Sequence, residues 1–300
     1  MPGRTTRFGL QRKIVAAMTS SGWQHAPHVS VLYEADVTKL LETLREINAG
    51  LGLGRMITLN TAMLKIIAEG LKACPIMNGH IHFSDWLARG SVTTIEEINV
   101  TMPVMIDRDN MMTLNVRGME KMSMSEIRDA VKDLIRRARN THMPQVMYEV
   151  AMHDTMQELK HLRIGKAVGR LIGALLDGTW KELLHGEEKR RYKKTPPAER
   201  LTWKDLEQGT VTVSNPGMLF KKMNGACLML EIIPPQIAAL AVNMVRDKPV
   251  VRKDGSIDTA KIVEMTIVFD HRAMDGNDLV PFLNRVEQLI SSPDLLREMI

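Results

Sequence analysis

The sequence predicts an α/β (α+β) fold in which a large mixed β-sheet is flanked by helices. Segments that alternate apolar and polar residues, as strands do, are interspersed with segments whose apolar residues recur every three or four positions, as in amphipathic helices. They form no regular βαβ repeat and no internal duplication, which favours a mixed sheet over a parallel one. An apolar fraction of 44% in 300 residues is enough for a sizeable core.

The helical segments are indicated by their spacing and by the residues at their ends. Pro75 ends one of them, Ser125 opens another and Asn277 precedes the last. The predicted helices are residues 11–21, 38–47, 58–73, 125–139 and 279–290.

The strands are indicated by alternation and by short apolar runs. Gly50, Gly52 and Gly54 look like a phosphate loop, but they follow no strand of a βαβ unit, so we interpret them as a flexible connection. The predicted strands are residues 29–37, 95–106, 111–116, 209–213, 237–245 and 264–269.

Residues 141–198 differ from the rest of the chain, with two helical patterns and a polar run that closes at Pro196. We expect a helical insertion within a single catalytic domain of residues 1–300. Gly165, Gly169 and Gly173 would lie along one helical stripe and allow close helix packing on the same fold or on a neighbouring subunit. A lid over an acyl chain and a helix at the membrane surface are the alternatives.

Composition and charge exclude several classes of protein. A formal charge of +5 gives weak support for an anionic ligand and argues against a dedicated nucleic-acid binder. Cys74 and Cys227 are far apart and show no zinc-ligand spacing, so we expect no metal, no disulfide framework and a reducing, cytoplasmic setting. Neither a secretory signal nor a membrane span is visible.

A histidine follows the last predicted strand. Residues 262–269 deliver Asp270 and His271 to a turn, Asp275 follows four residues later, and Gly276 comes before the next helix. A histidine held by a neighbouring carboxylate can serve as a general base. Because a single histidine is more often structural, the pattern alone is only suggestive.

A second element lies where another strand ends. Ser214 and Asn215 follow the run 209–213 and precede Pro216. Their side chains can donate hydrogen bonds to an oxyanion, and one preorganised donor stabilises a transition state by about 3 to 4 kcal/mol. An ordinary Ser-Asn-Pro-Gly turn is the alternative interpretation.

Several motifs in a fixed order carry a family resemblance. Together they resemble the catalytic domain of the 2-oxo acid dehydrogenase dihydrolipoamide acyltransferases across nearly the whole chain except the insertion. The motifs are residues 11–21, Pro27-His28-Val29, residues 201–210 leading into Val213-Ser214-Asn215, residues 233–238, and residues 269–276.

The resemblance implies a chloramphenicol acetyltransferase-like two-layer sandwich and a homotrimer with active sites between subunits. It implies that His271 deprotonates a thiol of coenzyme A or dihydrolipoamide and that Ser214 donates to the oxyanion. Asp275 would organise the site through an ion pair with Arg12, and Gly276 and Asn215 would support it. Coenzyme A is then the acyl-carrying substrate, with no residues assigned to its binding.

The chain also departs from the family pattern. No lipoyl domain precedes the catalytic motifs, so we expect no covalent lipoyl group here and any lipoylated carrier to act in trans. Residues 109–116 replace a Gly-Leu-x-x-Pro-Val element that shapes the channel in relatives. Three hypotheses follow: an acyltransferase that uses coenzyme A and a thiol, hydroxyl or amine acceptor; a core component of a dehydrogenase complex; and a non-catalytic trimeric scaffold.

Overall fold

A computed structural model of the chain describes residue 3 and residues 8–52, 54–106, 111–160, 183–219 and 225–300. The predicted stripe of Gly165, Gly169 and Gly173 lies outside the described residues. Among the described helices, none is both long and apolar enough to cross a membrane.

A six-stranded mixed sheet with the order β1-β8-β7-β6-β4-β5 forms the centre of the fold, as the sequence predicted. Strand β6 pairs in parallel with β4 and β7, whereas the other neighbours are antiparallel. Its strands are β1 (His28–Asp36), β4 (Val100–Met105), β5 (Met111–Val116), β6 (Val211–Ser214), β7 (Ala238–Val251) and β8 (Ile257–Asp270).

A separate hairpin of β2 (Gly79–Ser84) and β3 (Arg89–Thr94) forms a second sheet that the sequence did not predict. Every residue of β3 is exposed, so the alternation that would mark a half-buried strand is missing. The hairpin is attached to the main fold where the Ile81 N–H donates to the Pro235 carbonyl at 2.9 Å.

The predicted helices are present, with shifted ends. Helix α4 starts earlier than expected, because Ser123 rather than Ser125 caps it: the Ser123 hydroxyl accepts from the Glu126 N–H at 3.2 Å, and the Glu126 carboxylate accepts from the Ser123 N–H at 2.7 Å. The helices are α1 (Leu10–His25), α2 (Thr38–Ala49), α3 (Leu59–Ala73), α4 (Met124–Arg139), α5 (Met143–Lys160), α6 (Gly186–Lys194), α7 (Trp203–Leu206), α8 (Pro216–Leu219) and α9 (Val280–Ser291).

The central strands β7 and β8 are covered on both faces. Leu240, Ile267 and Phe269 point into the main core, to which α3 and α9 also contribute. On the opposite face, Ala239 and Val268 pack with Ala26 and Ile232 in a smaller apolar cluster. The ends of these strands are therefore held rigidly by packing on two sides.

The described ends of the segment 141–198 pack against the rest of the chain. His153 of α5 stacks on Trp203 of α7, with ring centroids 3.9 Å apart. Tyr192 of α6 is buried, and the guanidinium of Arg200 lies over its ring at 4.5 Å. That this segment is an insertion into one domain stays a prediction.

Candidate active site

His271 lies in the turn directly after β8, and its backbone is fixed by the neighbouring strand ends. The N–H of Asp270 donates to the Ile237 carbonyl and that of His271 to the Pro27 carbonyl, both at 2.9 Å. The His271 side chain is 53% exposed. A rigid strand end thus presents an imidazole that a substrate can reach.

The Nδ1 atom of His271 lies 3.2 Å from the Oδ1 atom of Asp275. A carboxylate accepts hydrogen bonds, so this contact favours the tautomer with the proton on Nδ1 and a free lone pair on Nε2. The backbone of Asp275 is held in turn, because its N–H donates to the Asp278 carboxylate at 2.7 Å. Gly276 begins the short 3₁₀ segment Gly276–Leu279, and a Cβ atom there would meet no described atom within 4 Å. This geometry is compatible with the predicted role of His271 as a base that Asp275 orients.

Ser214 is the last residue of β6, where it pairs with Ala241 of β7 and is half-buried. Asn215 follows, and its amide donates to the Asn60 Oδ1 atom at 2.5 Å. The next residues form the short helix α8 rather than an isolated turn. Ser214 therefore has a backbone position fixed by β7, directly before Asn215 and the start of α8.

A close contact before β6 sets the position of this strand. The Gly209 N–H donates to the Thr101 hydroxyl at 2.6 Å, and the Gly209 carbonyl accepts from the buried Gln236 amide at 2.8 Å. A Cβ atom at Gly209 would lie 2.1 Å from the Asn99 carbonyl oxygen, so only glycine fits there. Gln236 also accepts from the Thr212 hydroxyl at 2.8 Å. The strand that ends at Ser214 is thereby tied to β4 and to the loop before β7.

The sheet register separates Ser214 from His271 within one chain. Ser214 pairs with Ala241 of β7, and Ala241 pairs with Thr266 of β8. His271 follows Thr266 by five residues. At about 3.3 Å per residue and about 4.8 Å between strands, the two Cα atoms lie roughly 19 Å apart. Their side chains are too short to reach a common substrate atom in the same chain.

Arg12 does not pair with Asp275 within the chain. Arg12 is exposed in the first turn of α1, and among the ion pairs between described residues Asp275 contacts His271 instead. The physical reason is distance along the helix, since only the end of α1 approaches the His271 turn through Pro27. Arg12 lies thirteen residues before the helix end at His25, about 20 Å along the axis.

An ion pair around His271 was overlooked in the sequence, although both residues stand in the motif. The Asp270 carboxylate is fully buried and accepts side-chain hydrogen bonds from Arg272, from Nη2 to Oδ2 at 2.6 Å and from Nε to Oδ1 at 3.0 Å and Oδ2 at 3.2 Å. The hydrogen bond to Asp270 raises the pKa of the Arg272 guanidinium, against the opposing effect of burial. The signal was the spacing of two opposite charges on either side of the histidine.

The described residues contain no group of three histidine, cysteine or acidic side chains that could hold a metal ion. Cys74 is buried and Cys227 is half-buried, and both are free thiols.

The comparison with protein families agrees with the resemblance in the motifs. Residues 4–149 and 186–297 match the model of the 2-oxoacid dehydrogenases acyltransferase (catalytic domain). The chain is 23% identical over 298 residues to the dihydrolipoyllysine-residue acetyltransferase component of the pyruvate dehydrogenase complex of Staphylococcus epidermidis, covering 98% of this chain and 53% of that protein. The mitochondrial counterpart of Dictyostelium discoideum is 26% identical over 284 residues, covering 94% of this chain and 34% of that protein. The chain thus spans about half or less of the length of these relatives.

Solved structures confirm the fold. The probable dihydrolipoamide acetyltransferase of Listeria monocytogenes aligns with a TM-score of 0.66 and 19% identity, covering 96% of this chain and 94% of its own. The dihydrolipoamide acetyltransferase of Azotobacter vinelandii aligns with a TM-score of 0.67 and 16% identity, covering 99% of this chain and 94% of its own. That structure comes from an investigation of the role of a serine, a histidine and an asparagine in the catalytic mechanism of the Azotobacter enzyme. Together with the family model, which includes both the Ser214 and the His271 elements, these findings show that the chain belongs to the 2-oxoacid dehydrogenase acyltransferase catalytic domain family.

Proposed function

We propose that this chain is an acyltransferase that moves an acyl group between coenzyme A and a dihydrolipoyl thiol, as a core component of a 2-oxo acid dehydrogenase complex. The observation that carries the proposal is the match to the acyltransferase catalytic domain over both ranges, 4–149 and 186–297, which contain the turn of His271 and the strand end of Ser214. Of the three hypotheses from the sequence, the match favours the complex component.

In the proposed reaction, His271 is the general base. Asp275 holds the proton on Nδ1, so the Nε2 atom accepts the proton of the attacking thiol as the sulfur approaches the thioester carbonyl. The thiolate forms the new carbon–sulfur bond, the old carbon–sulfur bond breaks, and the departing thiolate takes the proton back from the imidazolium. The reaction is balanced without a metal or a redox partner.

Ser214 is proposed to donate a hydrogen bond to the oxyanion that forms on the thioester carbonyl. Since Ser214 and His271 of one chain lie roughly 19 Å apart by register, the serine of one copy must act with the histidine of another. This requirement supports active sites between subunits, in the homotrimer that the family resemblance implies, where each interface joins one His271 to one Ser214. Gly276 and Asn215 are supporting residues that shape the two turns.

The Asp275 assignment has support from the Azotobacter enzyme. The histidine and the asparagine investigated there are four positions apart, and His271 and Asp275 have the same spacing. Aspartate and asparagine can both accept a hydrogen bond from Nδ1. Arg12 stays in the proposal only as a residue that a neighbouring copy could bring near the site, because within its own chain it does not reach Asp275.

The partners follow from the same chemistry. Coenzyme A is the proposed thiol substrate on one side and a lipoylated carrier domain on the other. A cytoplasmic, reducing setting is supported by the two free cysteines.

The purified protein, incubated with acetyl and longer acyl-coenzyme A plus dihydrolipoamide, tests the proposal. We expect turnover in the wild type and a loss of about 10²- to 10⁴-fold in His271→Ala, with no change in His185→Ala, an exposed histidine before α6. A panel of hydroxyl and amine acceptors tests the free-standing transferase, and a protein that leaves every thioester intact would be a scaffold.

A further inference from the structure

Arg272 connects the turn of His271 to a part of the fold that lies outside the motifs of the family. Its guanidinium is held on one side by the fully buried Asp270 carboxylate, through contacts of 2.6 and 3.0 Å. Its backbone N–H donates to the same carboxylate at 2.9 Å. The side chain and the main chain of Arg272 therefore both bind the Asp270 carboxylate, and the backbone of His271 lies between the two residues that these contacts join.

The other side of the guanidinium is covered by an aromatic ring. The guanidinium carbon of Arg272 lies 5.4 Å from the ring centre of Phe83, in strand β2 of the separate hairpin. This distance is within the range of a cation–π contact. The hairpin thereby limits the positions available to the Arg272 side chain.

His271 lies between the two partners of this ion pair. Asp270 also accepts, through its carbonyl, the N–H of Ala273 at 3.0 Å, and the N–H of His271 donates to Pro27. If Arg272 were lost, the buried Asp270 carboxylate would have no charged partner in this turn, and the peptides on either side of His271 would move as that carboxylate found new contacts. Displacing a reacting group by about 1 Å can lower a rate by about 10²-fold.

We propose that Arg272 is a positioning residue for His271 and that Phe83 of the hairpin acts through it. The inference rests on the proposed role of His271 as the base. It assigns to the β2–β3 hairpin the function of holding the catalytic turn in its active geometry.

An open cavity beside Arg272 allows the proposal to be tested by chemical rescue of an arginine variant. It has a volume of about 810 Å³ and is lined by Asp270, Arg272, Phe83 and other residues of the hairpin and of α1. A free guanidinium ion can therefore diffuse to the place that the Arg272 side chain vacates in Arg272→Ala.

The test compares Arg272→Ala, Arg272→Lys and Phe83→Leu with Arg89→Ala, which removes an exposed arginine from the same cavity. We measure kcat and KM for acyl-coenzyme A with dihydrolipoamide, and the midpoint of thermal unfolding. Arg272→Ala should lower kcat about 10- to 100-fold with KM changed less than about threefold. Arg272→Lys should recover part of kcat, Phe83→Leu should lower it about two- to fivefold, and Arg89→Ala should not change it.

Added guanidinium at millimolar concentration should raise kcat of Arg272→Ala several-fold and leave His271→Ala and the wild type unchanged. Unaltered kcat per folded molecule in Arg272→Lys and Phe83→Leu would overturn the proposal even if Arg272→Ala fails to fold. An inactive wild type would instead refute the proposed function, so the two failures are distinguishable.

Discussion

Ser214 and His271 lie at different positions along the strands of the same sheet. Ser214 is in register with Thr266 through Ala241, and His271 follows Thr266 by five residues. The proposed oxyanion donor and the proposed base of one chain therefore cannot act on the same substrate molecule. The proposed site is therefore complete only when a second copy of the chain supplies the other residue.

The carboxylate of Asp275 orients His271, so its replacement should affect the rate more than the binding of substrate. We expect Asp275→Asn to keep kcat within about tenfold of the wild type, because an amide oxygen still accepts from Nδ1. Asp275→Ala should lose about 10- to 100-fold, because nothing then fixes the tautomer. Steady-state kinetics of both variants check this, and equal losses in the two would contradict it.

Gly209 should be intolerant of a side chain because of its contact with Asn99. A Cβ atom at 2.1 Å from the Asn99 carbonyl forces β6 away from β4, and overpacking of this kind costs about 1 to 3 kcal/mol. Gly209→Ala should lower both the free energy of unfolding and kcat, since β6 carries Ser214. Gly225→Ala is the control, because a Cβ atom there meets no described atom within 4 Å. Similar unfolding free energies for the two variants would show that the contact is not restrictive.

The stability of the fold should depend on pH through Asp205. Burial alone would raise the pKa of this carboxyl, but hydrogen bonds from Arg137 and Thr202 outweigh it and lower the pKa below its ordinary value. Arg137 donates to both carboxylate oxygens, at 2.8 and 2.9 Å. A carboxyl with a lowered folded-state pKa stabilises the fold above its unfolded pKa, about 3.9, and this contribution is lost as the pH falls through the folded-state value.

Asp205→Asn should therefore lower the free energy of unfolding by about 2 kcal/mol at pH 7, and the gap to the wild type should shrink below about pH 4. Denaturant unfolding at pH 7, 5 and 3 measures the gap. Asp247→Asn removes an exposed pair with Lys261 and should cost less than about 0.5 kcal/mol. A gap for Asp205→Asn that stays constant down to pH 3 would contradict the assignment.

The elements with a clear apolar period could be predicted from the sequence. Helix α3 agrees with its prediction, because its apolar residues recur at helical spacing and Thr58 caps it. The outer halves of β7 and β8 were missed, because charged residues such as Asp247 and Lys261, which pair across these two strands, obscure the alternation of their partly buried face. A strand whose outer positions are mostly exposed gives only a weak alternation of apolar and polar residues.

In the candidate site, too, local features could be predicted from the sequence, whereas contacts between distant segments could not. The position of His271 and its closeness to Asp275 follow from a local motif, and a strand end followed by a turn fixes both. The pairing of Arg12 could not be derived, since it depends on where the start of α1 lies in the fold. The contact of Arg272 with Phe83 joins residues almost two hundred positions apart, and no spacing within the motif reports it.

The most direct test of the account is a mixed oligomer of His271→Ala and Ser214→Ala subunits, coexpressed with different tags and purified through both. Each variant alone should be strongly impaired, by about 10²- to 10³-fold for the serine. If each site joins His271 of one subunit to Ser214 of the next subunit in a trimer, the doubly purified mixed trimers regain about a third of wild-type activity, because one of their three interfaces has both residues intact. Activity no greater than the average of the two separate variants would contradict an active site shared between subunits.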